Sequence, residues 1–123
     1  VEGVVLAGYM RLIGRAFVEA FPAGIVNVHP ALLPAFPGVD AQQQALDYGV
    51  KITGCTVHFV DDGMDTGPII AQRVVPVLAG DTHDALADRL IVEEHAALVE
   101  AVGLWTQGRL ERRGRHVIIH PAS

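Results

Sequence analysis

Residues 83–104 form the longest helix-periodic stretch in the chain, and they follow four short apolar runs of strand character. A chain carrying both must lay helices on a sheet, which excludes an all-strand and an all-helix fold. Asp81-Thr82 stands just ahead of the stretch as its capping pair. Ala87, Leu90, Ala97 and Ala101 fall on one stripe, which should face the sheet. Glu94 lies on that stripe too. A carboxylate on the buried side is costly unless paired, so Glu94 should meet Arg89 or another base, or else the cationic group of a ligand.

The remaining elements follow from stop signals. Residues 4–7 are an apolar run halted by Gly8 and read as a buried strand. Ala16, Phe17, Ala20 and Phe21 predict a helix over 14–21, ended by Pro22 and Gly24. Residues 25–28 read as the next strand, stopped at Pro30. Pro30, Pro34, Pro37 and Gly38 make 30–39 a rigid loop. Asp40 is placed to cap a short helix over 41–48 that stops at Gly49. Residues 52–60 and 69–77 are strands by composition, joined by a loop in which Gly63 and Gly67 give the backbone freedom. Residues 117–119 form a short terminal strand. The sum is a mixed α/β sheet with flanking helices, a single three-layer domain over 1–123. The chain has no initiating Met and opens directly on a core-strand pattern, as a chain that begins inside a fold would.

Composition removes several classes of function. With half its residues hydrophobic and 19% charged the chain is globular, and 123 residues suffice for one core. A net charge of −5 offers nucleic acid no basic face. Arg109, Arg112, Arg113 and Arg115 crowd the tail and read as a solvated strand or turn. The single cysteine, Cys55, sits in an apolar run and reads as a small core residue in a reducing compartment. No signal segment or membrane-length apolar stretch is present, which points to the cytoplasm. His58 with Asp61, and His83 with Asp84, build no three-ligand set, so no metal is expected. His58, His95, His116 and His120 read as surface or hydrogen-bonded histidines.

Chemistry concentrates at Asn27, His29 and Asp65. Strand alternation sends Asn27 and His29 to one face, at the carboxyl end of a strand, where open α/β sheets place ligands. An Asn amide can donate to a developing oxyanion, a contact whose loss costs about 3–4 kcal/mol of barrier. An imidazole serves acid–base work near neutral pH, and Asp65 could hold it in one orientation. The pair alone is a weak signal, because two satisfied polar residues beside a proline-rich loop look the same. Asp65-Thr66-Gly67 also matches the signature of dimeric aspartic proteases. Those are nearly all strand, and the helix at 83–104 rules against them.

Together the motifs are familiar. Asn27-Val28-His29-Pro30-Ala31-Leu32-Leu33-Pro34-Ala35-Phe36-Pro37-Gly38, then Thr53-Gly54-Cys55-Thr56-Val57-His58-Phe59-Val60, then Asp65-Thr66-Gly67-Pro68-Ile69-Ile70-Ala71-Gln72 closely resemble the glycinamide ribonucleotide formyltransferases of purine synthesis, over nearly the whole chain. The resemblance implies formyl transfer from 10-formyltetrahydrofolate, as cosubstrate, to the amine of glycinamide ribonucleotide. It places the catalytic roles on Asn27, His29 and Asp65. It puts folate contacts on Met10, Arg11, Leu12, Ile13, Val18 and Asn27, and on the 59–65 loop through Phe59, Val60, Asp61 and Asp65. It puts the acceptor substrate on Gly8 and Glu94.

Two departures stand out. Asp40 occupies a place where this family usually carries a second histidine. The Gly/Ser/Asn-rich phosphate loop of the family's opening β-α units is absent, so an N-terminal partner chain, self-association through the opening strand, or a partial product is expected. Methionyl-tRNA formyltransferase shares the module but carries a basic extension not found here. A 10-formyltetrahydrofolate hydrolase and an inactive folate-binding fragment remain as alternatives.

Overall fold

Glycine and proline stops cut the β-branched runs into strands much as expected. A computed structural model describes residues 3–7, 24–61, 63 and 65–122. Strands β1 (Gly3–Ala7), β2 (Gly24–His29), β3 (Ile52–Phe59) and β4 (Ile69–Pro76) form one sheet in that order. The β1–β2 pair is parallel, and the β2–β3 and β3–β4 pairs are antiparallel. Helix α1 (Ala41–Tyr48) follows the proline-rich loop, and α2 (His83–Thr106) follows the sheet. The fold is mixed α/β. The helix expected over 14–21 lies outside the described residues.

The Thr82 hydroxyl caps α2 by accepting from the Ala85 amide at 3.2 Å. The stripe that α2 buries is Leu86, Leu90, Ala97 and Ala101, so Leu86 takes the place expected of Ala87. Ala97 and Ala101 let the helix close on Val26, Val28, Cys55, Val57, Phe59 and Ile70. Leu86 and Leu90 pack with Val75 in a second cluster. Each such leucine contributes about 1.5–3 kcal/mol of burial. Cys55 is the buried core residue expected, and burial, with the Glu94 charge second, pushes its thiol up to about 11.

Arg89 does not meet Glu94. It reaches back to Asp81, donating at 2.5 and 3.0 Å, and to the Pro76 carbonyl at 2.8 Å. The carboxylate ahead of the helix outcompetes the one on its face because it also accepts the Leu78 amide, which holds it in place.

The tail forms a hairpin, β5 (Leu110–Arg113) and β6 (His116–Ile119), of which only the second strand is legible as an apolar run. Its arginines are committed locally. Arg112 lies 4.4 Å over the Phe59 ring, Arg113 pairs with Glu111, Arg109 donates to the His120 carbonyl, and Arg115 donates to the Thr66 carbonyl. Among the described residues no helix is long and apolar enough to cross a membrane.

Candidate active site

Alternation along β2 gives Val26 and Val28 to the α2 side and Asn27 and His29 to the opposite face. Antiparallel register then sets His58 of β3 opposite Asn27, and Thr56 opposite His29. All four side chains are at most 5% exposed. Burying four polar groups on one face of a small sheet is expensive unless each finds a partner.

The proline-rich loop supplies most of those partners. The Thr56 hydroxyl donates to the Ala31 carbonyl at 2.7 Å and accepts from the Leu33 amide at 3.0 Å. Gln72 of β4 donates to the Leu33 carbonyl at 3.0 Å. The loop is thereby strapped across the polar face. His29 Nε2 donates to the Phe36 carbonyl at 2.8 Å, which turns its Nδ1 toward Asp65 Oδ2 at 3.5 Å.

Asp65 reaches this face from the β3–β4 loop. Asp61 folds that loop from within, accepting from the Gly63 amide at 2.9 Å and the Thr66 hydroxyl at 2.6 Å. Gly67 is required by close approach: a Cβ there would sit 1.6 Å from the Phe59 carbonyl oxygen. The conformational freedom expected of Gly67 is instead exercised at Asp65, a non-glycine residue with φ of 55°. Strain of that kind is retained where the surroundings hold a side chain in place. Here the Gly38 amide does so, donating to Asp65 Oδ2 at 2.8 Å.

His58, expected as a surface or hydrogen-bonded histidine, is the second of these, and the structure brings it to the face of Asn27 and His29. It is buried, its Nδ1 donates to the Phe59 carbonyl at 3.0 Å, and its Nε2 faces Asp65 Oδ1 at 3.7 Å. Burial lowers its pKa below the ordinary histidine value, and Asp65 pulls only partly the other way. The signal that could have found it is the pairing of the two apolar runs around Asn27 and His58.

Among the described residues, two buried atoms of this face, His58 Nε2 and Asn27 Oδ1, have no hydrogen-bond partner. Leaving one such atom unpaired costs about 1–3 kcal/mol. With both imidazoles donating to backbone carbonyls, their remaining nitrogens, the Asp65 carboxylate and Asn27 Oδ1 are all acceptors. A site so furnished receives N–H protons, and the Asn27 amide supplies a donor beside these acceptors. A cavity of about 480 Å³ opens on Asp65, walled by Leu33, Pro34, Pro37, Ile69 and Val117. That is large enough for a small organic ligand.

The other expected site residues are placed differently. Phe59 turns its ring into the core, edge-on to Trp105 at 5.7 Å, and its backbone amide and carbonyl are engaged by Pro68 and His58. Val60 is buried, and its amide donates to the Ile25 carbonyl. Asp61 is engaged within its loop. Glu94 sits on α2, on the Cys55 side of the sheet, and makes no hydrogen bond to Asn27, His29 or Asp65. Burial raises its pKa above the ordinary carboxylate range. Gly8, Met10, Arg11, Leu12, Ile13 and Val18 lie outside the described residues.

Residues 1–102 match the formyl transferase family model. A phosphoribosylglycinamide formyltransferase of Mycobacterium tuberculosis is 51% identical over 122 residues, covering 94% of this chain and 57% of that protein. The crystal structure of glycinamide ribonucleotide transformylase 1 from Symbiobacterium toebii superposes with a TM-score of 0.95 at 55% identity, covering 98% of this chain and 57% of that one. A formyltetrahydrofolate deformylase from Pseudomonas syringae superposes with a TM-score of 0.90 at 28% identity, covering 98% of this chain and 40% of that one. The chain thus spans little more than half the length of the curated relatives it matches.

Proposed function

This chain belongs to the formyl transferase family, and on that premise we propose that residues 1–123 form the catalytic and folate-binding part of a cytoplasmic phosphoribosylglycinamide formyltransferase. The reaction moves a formyl group from N10 of 10-formyltetrahydrofolate to the primary amine of glycinamide ribonucleotide. The observation that carries this reading is the convergence of Asn27, His29 and Asp65 on one buried, acceptor-rich face.

The amine attacks the formyl carbon, and the carbonyl electrons move onto oxygen. The Asn27 amide donates to that oxyanion, a contact of the kind that contributes roughly 3–4 kcal/mol. His29, held at Nε2 by Phe36 and turned at Nδ1 toward Asp65, adds its positive charge beside that oxygen when protonated. Asp65 fixes His29 and takes the proton that the attacking nitrogen sheds. Collapse of the oxyanion breaks the bond to N10 of folate, which takes the proton held by Asp65 as it leaves. His58 flanks the other Asp65 oxygen at 3.7 Å.

The resemblance gives Glu94 to the acceptor's amine; Glu94 is partly buried on the α2 side of the sheet and does not share the face of Asn27 and His29. The acceptor's phosphate is held elsewhere, because the loop that carries Gly63 and Gly67 also carries Asp61, Asp62 and Asp65 and repels phosphate. A preceding segment, a partner chain or a second copy would provide that site. The likeness to a formyltetrahydrofolate deformylase supports a second reading, in which water replaces the amine.

Incubating the purified chain with 10-formyltetrahydrofolate, with and without glycinamide ribonucleotide, separates the two. Tetrahydrofolate production that requires the ribonucleotide supports transfer. Formate release in its absence supports hydrolysis. Folate binding with no turnover in either mixture would overturn catalysis by this chain alone.

A further inference from the structure

Two of the contacts that orient the site come from one short segment: the Phe36 carbonyl on His29, and the Gly38 amide on Asp65. Little burial holds that segment, since Ala35, Pro37, Val39 and Asp40 are exposed. Phe36 and Asp40 bracket it in left-handed backbone, at φ 49° and 56°, a conformation unfavourable for side chains with a Cβ. Polar ties must therefore keep it in place. Gln44 of α1 donates at 3.0 Å to the Pro37 and Val39 carbonyls, and Tyr48 packs edge-on against Phe36.

The tie to the long helix runs through Asp40. That residue stands at the cap position of α1, where an Asp usually caps, yet its side chain makes no capping bond. Its carboxylate instead accepts from Nε2 of His83, the first residue of α2, at 2.8 Å.

We propose that His83 is a positioning residue: its imidazolium holds Asp40, and through Asp40 it keeps Phe36 and Gly38 on His29 and Asp65. The tie deepens the transferase reading and rests on it for the chemistry the segment serves.

The groups facing the His83 ring are Asp40 across the loop and Asp84 on its own helix at 3.3 Å, while Asp81 is occupied by Arg89. Hydrogen bonding to Asp40 first, then to Asp84, raises His83 above the ordinary histidine value of 6.5. A raised pKa places the tie fully in force below that value and removes it as pH climbs through the raised one. His83 and Asp40 are 40% and 52% exposed, so the pair contributes little to overall stability. Its effect is confined to the segment.

Amide hydrogen exchange at Gly38, read by NMR on the full chain and corrected for intrinsic rate, tests this directly. At pH 6, H83Q and D40N should each lower Gly38 protection by about two- to fivefold while leaving the urea midpoint in place. In the wild-type chain protection should decline by a similar factor between pH 6 and pH 8.5. H83K should restore protection at both pH values and abolish the decline. Unchanged Gly38 protection in H83Q or in D40N overturns the proposal, as does an H83K chain that declines like wild type. Should H83Q fail to fold, D40N reads the same tie from its other end. Exchange is measured without folate or acceptor, so a chain that shows this pattern and no formyl transfer retains the tie and loses the transferase reading.

Discussion

His58 Nε2 and Asp65 Oδ1 face each other across 3.7 Å, with the imidazole 2% exposed and its other nitrogen spent on the Phe59 carbonyl. Asp65 thus lies between two histidines, one per carboxylate oxygen, since His29 Nδ1 lies 3.5 Å from Oδ2. Neither imidazole is free to turn away, because each is pinned to a backbone carbonyl on its far side.

That confinement makes His58 a source of pH-dependent stability. Burial lowers its folded-state pKa, so between that value and the ordinary 6.5 the unfolded chain binds a proton that the folded chain refuses. Stability contributed by His58 is therefore present above pH 6.5 and declines as pH falls below it. H58Q, which cannot titrate, should flatten this part of the profile. Urea midpoints at pH 5, 6 and 7.5 for both chains provide the check, and equal acid slopes would contradict a neutral buried His58.

The two histidines differed in how readily the sequence disclosed them. His29 lies two residues from Asn27 on one strand, so alternation alone pairs them. His58 lies 31 positions beyond Asn27 (58 minus 27), and only the β2–β3 register brings it opposite. The same limit hid β5, whose Leu-Glu-Arg-Arg is strand only because β6 and the Phe59 ring accept it. Asp40 followed the rule for a cap in sequence and broke it in space, since His83 lies within reach. Local chemistry was legible wherever one element sufficed, as at the Thr82 cap and the buried Cys55.

Removing the oxyanion donor and the carboxylate should act on the chemical step without unfolding the chain. Asn27→Ala is expected to lower kcat by about 10²–10³-fold. Asp65→Asn keeps the shape of the side chain and the Gly38 contact, and should lower kcat by about 10²–10⁴-fold through lost proton transfer. Single-turnover formyl transfer by the chain, assembled with whatever supplies the phosphate site, measures both. An Asp65→Asn enzyme with an unaltered chemical step would remove Asp65 from the mechanism.

Gly67 offers a test of how the Asp65 loop is held. A methyl group there would lie 1.6 Å from the Phe59 carbonyl oxygen, which belongs to the sheet and cannot retreat. Gly67→Ala should destabilise the fold by about 1–3 kcal/mol, the usual cost of overpacking. It should also displace Asp65, so the Gly38 amide loses its acceptor. Urea denaturation gives the first effect, and the Gly38 amide resonance reports the second. At Gly80, where nothing lies near the added carbon, only the left-handed backbone (φ 80°) resists the same change, and a smaller loss with no shift at Gly38 is expected.

Glu94 is where stability and function should pull apart. The carboxylate is partly buried and makes no hydrogen bond among the described residues, and burial raises its pKa. A raised carboxylate pKa means the folded chain binds the proton more readily than the unfolded one, so stability falls as pH rises through the folded value. Glu94→Gln removes the charge at constant shape. The variant should be more stable than the parent at pH 7, with the difference fading as pH drops toward 4. If Glu94 holds the amine of the acceptor, the same substitution should raise KM for glycinamide ribonucleotide by about tenfold or more, as expected for a lost charge-assisted contact. Folate binding should be untouched. Higher stability at pH 7 with an unchanged KM would show that Glu94 is merely an ill-placed surface charge, and the acceptor's amine would then have to be sought near Asp65.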